Sequence, residues 1–194
     1  MPILLVGRDV KVVRLSLSLN SFPALLAEHR LSDPTTAAVE QRGQTYVAGG
    51  YQPADTREFV RAVCRWGNYD GVAGNVLKHN TVSSIAAAFR EGHDHVVAGR
   101  AAAAIVSVTG LKGLRISFGS KHLKFLAPDH AVVLDSIISE RLGYPRTPDG
   151  YAEFVQDCAS LRDTLNHEGI APSPDQSAWR ISDVEMAIFK SVNP

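Results

Sequence analysis

A short basic stretch in the second half of the chain has the residue types best suited to chemistry. Between positions 111 and 124 it carries five cationic or imidazole side chains: Lys112, Arg115, Lys121, His122 and Lys124. Gly113 lies among them, between the predicted end of one helix and the predicted start of another. A glycine turn lets backbone N–H groups at a helix N-terminus approach a phosphate closely. The stretch predicts either a phosphate-binding hairpin or a helical hairpin with a solvated basic face.

This order of helix, glycine turn and helix resembles the helix-hairpin-helix of the base-excision DNA glycosylase superfamily, whose hairpin typically reads Leu-Pro-Gly-Val-Gly. Here the hairpin reads LKGLR over 111–115, in register but without the proline and the second glycine. The resemblance implies that Lys112, Gly113 and Arg115 hold the DNA backbone. It extends over residues 55–194 and leaves residues 1–52 uncovered.

The superfamily places an essential aspartate at the start of the helix after the hairpin unit, behind apolar residues, and VVLD over 132–135 fits this pattern. Asp135 lies 18 residues beyond Ser117, which therefore occupies the superfamily's lysine position, as in its monofunctional members. Lys121 lies one helical turn later on the same face. The run SKHLKFLAPD over 120–129 is similar to the signature of a bacterial branch of OGG-like 8-oxoguanine DNA glycosylases, and it favours Lys121 over Ser117 as the nucleophile.

The resemblance assigns these two residues a defined chemistry. As a base leaves, its sugar approaches an oxocarbenium ion, and a carboxylate such as that of Asp135 stabilises the positive charge. A neutral amine such as that of Lys121 attacks the sugar carbon and forms a Schiff base, which leads to strand cleavage. Capping of the following helix is the alternative role of Asp135, and it is compatible with catalysis.

The resemblance also implies a pocket for an extruded base. Asp175 and Trp179 have the four-residue spacing of a pocket aspartate and tryptophan in compact archaeal 8-oxoguanine glycosylases. Trp66 is the candidate for a second stacking surface. Aromatic faces grip a flipped base, and a carboxylate accepts hydrogen bonds from purine N–H groups. Core packing is the alternative for both tryptophans.

The composition is that of an ordinary globular protein. Among the 194 residues, 20 Lys and Arg balance 20 Asp and Glu, which argues against a tail-driven nucleic-acid binder but permits a local basic patch. The two cysteines, Cys64 and Cys158, are too few for a disulfide framework or a four-cysteine metal site. No metal or organic cofactor is expected. The apolar run over 3–6 is too short for a signal peptide or membrane span, so we expect a cytoplasmic protein.

The apolar periodicity predicts a mainly α protein, with an N-terminal segment of uncertain structure over 1–52 and a helical domain over 53–194. The resemblance implies that the helices form the two-lobed helix-hairpin-helix glycosylase fold. In the N-terminal segment, 10–19 alternates like a strand and Pro23 starts a short helix. The other predicted helices run from a cap at Asp55 to Trp66, from Asn80 to Gly92, from Asp94 to Thr109, and over 117–126, 136–142, 148–167 and 183–192.

The resemblance implies an enzyme that excises an oxidised purine such as 8-oxoguanine from duplex DNA and then acts as an AP lyase. Its expected partner is duplex DNA containing a damaged base, and a monomer is expected. Two alternatives are open: the same fold binding DNA without turnover, and an all-α protein-interaction domain. Salt-dependent duplex binding without base release distinguishes the DNA-binding module from the enzyme.

Overall fold

The computed structural model describes the backbone of residues 3–6, 9–12 and 15–193 and the side chains of residues 17–193. Most of the described residues lie in helices, roughly twice the usual share in globular proteins. This confirms the prediction of a mainly α fold. Among the described residues, no helix is both long and apolar enough to cross a membrane.

Three short strands precede the helices. Strands β1 (Ile3–Val6), β2 (Asp9–Val12) and β3 (Leu15–Ser18) form an antiparallel sheet in that order. A 3-10 turn at Leu19–Ser21 then leads into the helical body. Its helices are α1 (Phe22–Ser32), α2 (Thr36–Ala48), α3 (Pro53–Trp66), α4 (Asp70–His79), α5 (Val82–Val97), α6 (Ala101–Thr109), α7 (Ile116–Leu126), α8 (Ser136–Leu142), α9 (Pro148–His167) and α10 (Ile181–Val192).

The predicted helices agree with the structure from α7 onward and need correction before it. Gln52 precedes α3 and Pro53 opens it, so Asp55 lies inside the first turn. Thr81, not Asn80, caps α5, because its hydroxyl accepts a hydrogen bond from the Ser84 N–H. Helix α5 also continues past Gly92 to Val97, so the predicted cap Asp94 lies within it.

Helices α2 and α4 were not predicted, and glycines within them explain why. A Cβ atom on Gly43 of α2 would lie 1.9 Å from the Phe125 carbonyl oxygen of α7. The glycine that weakens the helical pattern is therefore the residue that lets the two backbones approach. Helix α4 begins at Asp70, within the glycine-containing stretch 67–71 that is typical of a helix end in the sequence.

The predicted boundary at residue 52 does not divide the core. Helix α1 packs against α10, and α2 packs against both α3 and α7. Phe22, Leu26 and Tyr46 are buried in the same hydrophobic cluster as the side chains of the later helices. The helices within residues 22–48 therefore belong to the main body of the protein.

Helix α7 lies at the centre of this body, in contact with α2, α3, α5 and α6. All its residues from Gly119 to Leu126 are buried, including Lys121 and Lys124. Charged groups in such a position require partners, because taking an isolated charge out of water is costly. The partners of these two lysines are therefore the first candidates for a functional site.

Candidate active site

A cleft of about 980 Å³ opens beside α7, with walls from α1, α2, α3, α10 and the start of α8. Its volume lies at the upper end of the range for small-ligand sites. Its lining includes five cationic side chains, Arg42, Arg65, Lys121, Lys124 and Lys190, against three carboxylates, Asp33, Asp135 and Glu185. The excess of cations suits an anionic ligand.

The structure brings Lys121 and Asp135 together in this cleft. Lys121 Nζ donates a hydrogen bond to Asp135 Oδ2 at 3.4 Å. The two side chains are 10% and 11% exposed, so the pair sits at the border between protein and cleft. Its length is that of a loose ion pair, which leaves both groups able to exchange partners.

The local structure around Asp135 explains how it is held. Its Oδ1 accepts a hydrogen bond from the Ile138 N–H at 3.1 Å, which caps α8. The preceding Leu134 N–H donates to Ser120 Oγ at 3.0 Å and ties the segment to α7. The cap therefore occupies one carboxylate oxygen and leaves the other for Lys121.

A second ion pair lies one turn farther along α7. Lys124 Nζ donates to Glu185 Oε2 of α10 at 2.8 Å, and the two side chains are 1% and 3% exposed. Burial raises the pKa of Glu185, while Lys124 opposes that rise. Sequence reasoning missed this pair. The signal available was a lysine on the buried face of an amphipathic helix, which requires a buried acidic partner.

Trp66, at the end of α3, lines the cleft beside both lysines. The Nζ atoms of Lys121 and Lys124 each lie over its ring, 5.4 Å from the centroid. Its Nε1–H donates to Thr36 Oγ1 at 2.9 Å, and its ring meets Phe125 in an edge-to-face contact. The ring is therefore fixed in orientation and already engaged with the two ammonium groups.

Ser117, the alternative to Lys121, has a different position. It lies in the first turn of α7, is partly exposed and does not line the cleft. Its carbonyl oxygen accepts a hydrogen bond from Ser120 Oγ. Of the two candidate nucleophiles, the structure therefore brings only Lys121 to Asp135.

The structure does not bring the predicted pocket residues Asp175 and Trp179 to the cleft. Asp175 is exposed in the loop before α10. Trp179 is buried in the core, where its Nε1–H donates to the Ile170 carbonyl and its ring packs edge-on against Phe22. Trp179 therefore fills the core, which is the commoner fate of a tryptophan.

A turn that contains Gly113 joins α6 to α7. Gly113 has a φ of +100°, and a Cβ there would lie 2.8 Å from the Asn75 amide nitrogen. Asn80 fixes the turn by hydrogen bonds to both the N–H and the carbonyl of Lys112. Lys112 and Arg115 are exposed beside the N-terminus of α7, which has no side-chain cap. Its free N–H groups can therefore receive an anion.

Among the described residues, no group of three or more His, Cys, Asp or Glu side chains could hold a metal ion.

Comparison with known proteins found no relative of this chain. No family model, no curated protein and no solved structure matches the chain.

Proposed function

We propose that this protein is a DNA glycosylase with AP lyase activity, which removes an oxidised purine such as 8-oxoguanine from duplex DNA. The observation that carries the proposal is the contact between the Lys121 amine and the Asp135 carboxylate, 3.4 Å apart at the edge of a cationic cleft. The resemblance to helix-hairpin-helix glycosylases supports the proposal, because it selects the same two residues from the sequence.

The first step breaks the bond between base and sugar. The damaged nucleotide leaves the duplex and enters the cleft, since its C1′ atom is inaccessible within the stacked helix. As the C1′–N9 bond breaks, the base takes the electron pair and the sugar becomes positively charged. The Asp135 carboxylate, fixed by the Ile138 N–H, stabilises that charge.

Lys121 supplies the nucleophile for the second step. Its amine must be neutral to attack, and Asp135 Oδ2 is the nearby acceptor for its proton. Nζ forms a bond to C1′, the C1′–O4′ bond opens with protonation of O4′, and an iminium remains between Nζ and C1′. Loss of a proton from C2′ and departure of the 3′ phosphate then break the strand.

The same helix also provides contact with the DNA backbone. The N-terminus of α7 follows the glycine hairpin, where Lys112 and Arg115 are exposed. From Arg115 to Lys121 the helix rises about 9 Å. One rigid element therefore links a phosphate contact at its first turn to an amine in its second.

Borohydride trapping tests this proposal, because borohydride reduces the iminium to a stable amine. We expect a covalent adduct between the wild-type protein and a duplex containing 8-oxoguanine, and none with Lys121→Ala. Lys78→Ala, which removes an exposed lysine of α4, is the matched control and should form the adduct.

Two other results would contradict the proposal and favour a different function. Free 8-oxoguanine without an adduct would indicate hydrolysis by water, with Ser117 in the lysine position. Salt-dependent duplex binding with neither base release nor an adduct would indicate a DNA-binding module without turnover.

A further inference from the structure

The cleft wall formed by α1 and α10 carries a histidine that the mechanism above does not use. His29 lies in the last turn of α1, is only 6% exposed, and lines the cleft together with Phe189 and Glu185 of α10. It thus shares a cavity with Lys121 and Asp135 without taking part in their ion pair.

One nitrogen of this histidine has no hydrogen-bond partner among the described side chains. Within residues 17–193, no group forms a hydrogen bond with the buried Nδ1 of His29. Leaving a buried polar atom unpaired costs about 1–3 kcal/mol, so such an atom needs an explanation. The ring itself is held, because it packs edge-on against Phe189 with the centroids 5.9 Å apart. The side chain is therefore fixed in place with unused hydrogen-bonding capacity.

The protonation state of His29 limits what it can recognise. Burial and the nearby Lys124 lower its pKa to about 4, so the imidazole is neutral at neutral pH. A neutral imidazole offers one donor and one acceptor. Phosphates favour cationic donors, whereas the edge of a nucleobase offers donors and acceptors side by side. The chemistry of His29 fits a base better than a phosphate.

We propose that His29 determines base specificity by forming a hydrogen bond to the edge of the extruded oxidised purine, on the wall that it shares with Phe189. This inference rests on the proposed glycosylase function and gives it a base-reading residue. It also moves the base site from Asp175 and Trp179, which lie outside the cleft, to the wall of α1 and α10.

The test compares two DNA duplexes that differ only in the presence of the base. One duplex contains 8-oxoguanine and reports base release; the other contains an abasic site and reports borohydride trapping alone. His29→Leu should lower base release by roughly tenfold or more, because the base edge loses its partner. Trapping at the abasic site should change less than about twofold, since there is no base to read. His29→Asn, which keeps a polar atom near the position of Nδ1, should recover part of the base release.

His122 provides a matched control. It is also a buried histidine with an unpartnered nitrogen and a pKa lowered to about 4, but its ring stacks on Phe89 and does not line the cleft. His122→Leu should therefore lower both activities together, in proportion to the loss of folded protein.

The outcomes distinguish a failure of the role of His29 from a failure of the proposed function. Equal loss of both activities in His29→Leu, or base release at the wild-type rate, would overturn the role of His29 while leaving the proposed function intact. If the wild-type protein acts on neither duplex, the proposed function fails, and the role of His29 fails with it.

Discussion

Two lysines three residues apart on α7 have contrasting environments. Lys121 is 3.4 Å from Asp135, and its side chain is 10% exposed at the edge of the cleft. Lys124 is 2.8 Å from Glu185, and its side chain is 1% exposed. Both ammonium groups contact the Trp66 ring, so the difference lies in burial and in the carboxylate partner.

Under the proposed function, this contrast distinguishes a lysine that takes part in the reaction from a lysine that supports the fold. Removing one partner of a sealed ion pair leaves a buried charge without compensation, so Lys124 and Glu185 must stay together for the fold. The looser pair of Lys121 and Asp135 can give up its mutual contact for contacts with a substrate at a lower cost in free energy. Under the proposed function, a single helix carries a reactive amine in a loose ion pair and, three residues later, a second amine in a buried ion pair.

The largest effect is expected from Lys121→Met. This change removes the nucleophile, so borohydride trapping on the 8-oxoguanine duplex should fall to background. Asp135 retains its cap on α8 and its access to water, so the melting temperature should change little. Persistence of the adduct in this variant would show that the two lysines have been assigned the wrong way round.

Asp135→Asn should come next. Asparagine caps a helix about as well as aspartate, so the start of α8 should be preserved. The loss of the negative charge should slow base release by about 10²–10³-fold. Single-turnover kinetics would measure the rate, and duplex binding by fluorescence anisotropy should be unchanged. A variant with wild-type turnover would contradict the role of Asp135.

Lys124→Met tests the structural half of the comparison. It leaves Glu185 buried without its partner and should lower the free energy of unfolding by about 3–5 kcal/mol, as measured by urea denaturation. Adding Glu185→Leu removes the stranded carboxylate and should restore most of the stability. A single variant as stable as the wild type would show that this pair does not support the fold.

The sequence predicted the second half of the fold well because its signals are local. The start of α8 depends on Asp135, which contacts a residue three positions away, and α9 begins at Pro148. Helix α2 was missed because the glycine that weakens its pattern serves a contact distant in sequence. This glycine, Gly43, meets Phe125 of α7.

The site was predicted only in part, for the same reason. Lys121 and Asp135 could be predicted because each lies in a short motif of consecutive residues. The partner of Lys124 lies 61 positions away, and no local pattern indicates it. The predicted spacing of Asp175 and Trp179 is present, but spacing alone does not tell a cleft from a core. The position of His29 on the cleft wall depends on the packing of α1 against α10, which no local pattern indicates.

The comparison between cleft and core also applies to two buried histidines, His29 on the cleft wall and His122 in the core. It predicts that the folded protein is less stable in acid. Burial lowers the pKa values of His29 and His122 from 6.5 to about 4. Between those values the unfolded chain binds more protons than the folded protein, so stability falls as the pH falls from 6.5 to 4. Each histidine should account for up to about 3 kcal/mol of that loss.

Urea denaturation at pH 7 and pH 4.5 would measure this loss. His29→Asn should lose less stability than the wild type over the same interval, because one of the two titrating groups is gone. Equal losses in the two proteins would contradict a neutral, buried His29.

The smallest effect is expected at the hairpin. Arg115 is exposed, and its removal in Arg115→Ala should weaken duplex binding only a few-fold and lower the slope of log affinity against log salt by about 1. Trapping at saturating DNA should not change, since Lys121 and Asp135 are untouched. An unaltered salt slope would place the phosphate contacts elsewhere.

The most direct test of the central claim is to locate the trapped adduct on α7. After reduction with borohydride on the 8-oxoguanine duplex, digestion of the DNA and the protein followed by mass spectrometry identifies the modified lysine. We predict modification at Lys121 and none at Lys124. Modification at Lys124, or no modified peptide at all, would contradict the assignment of these two lysines to chemistry and to structure.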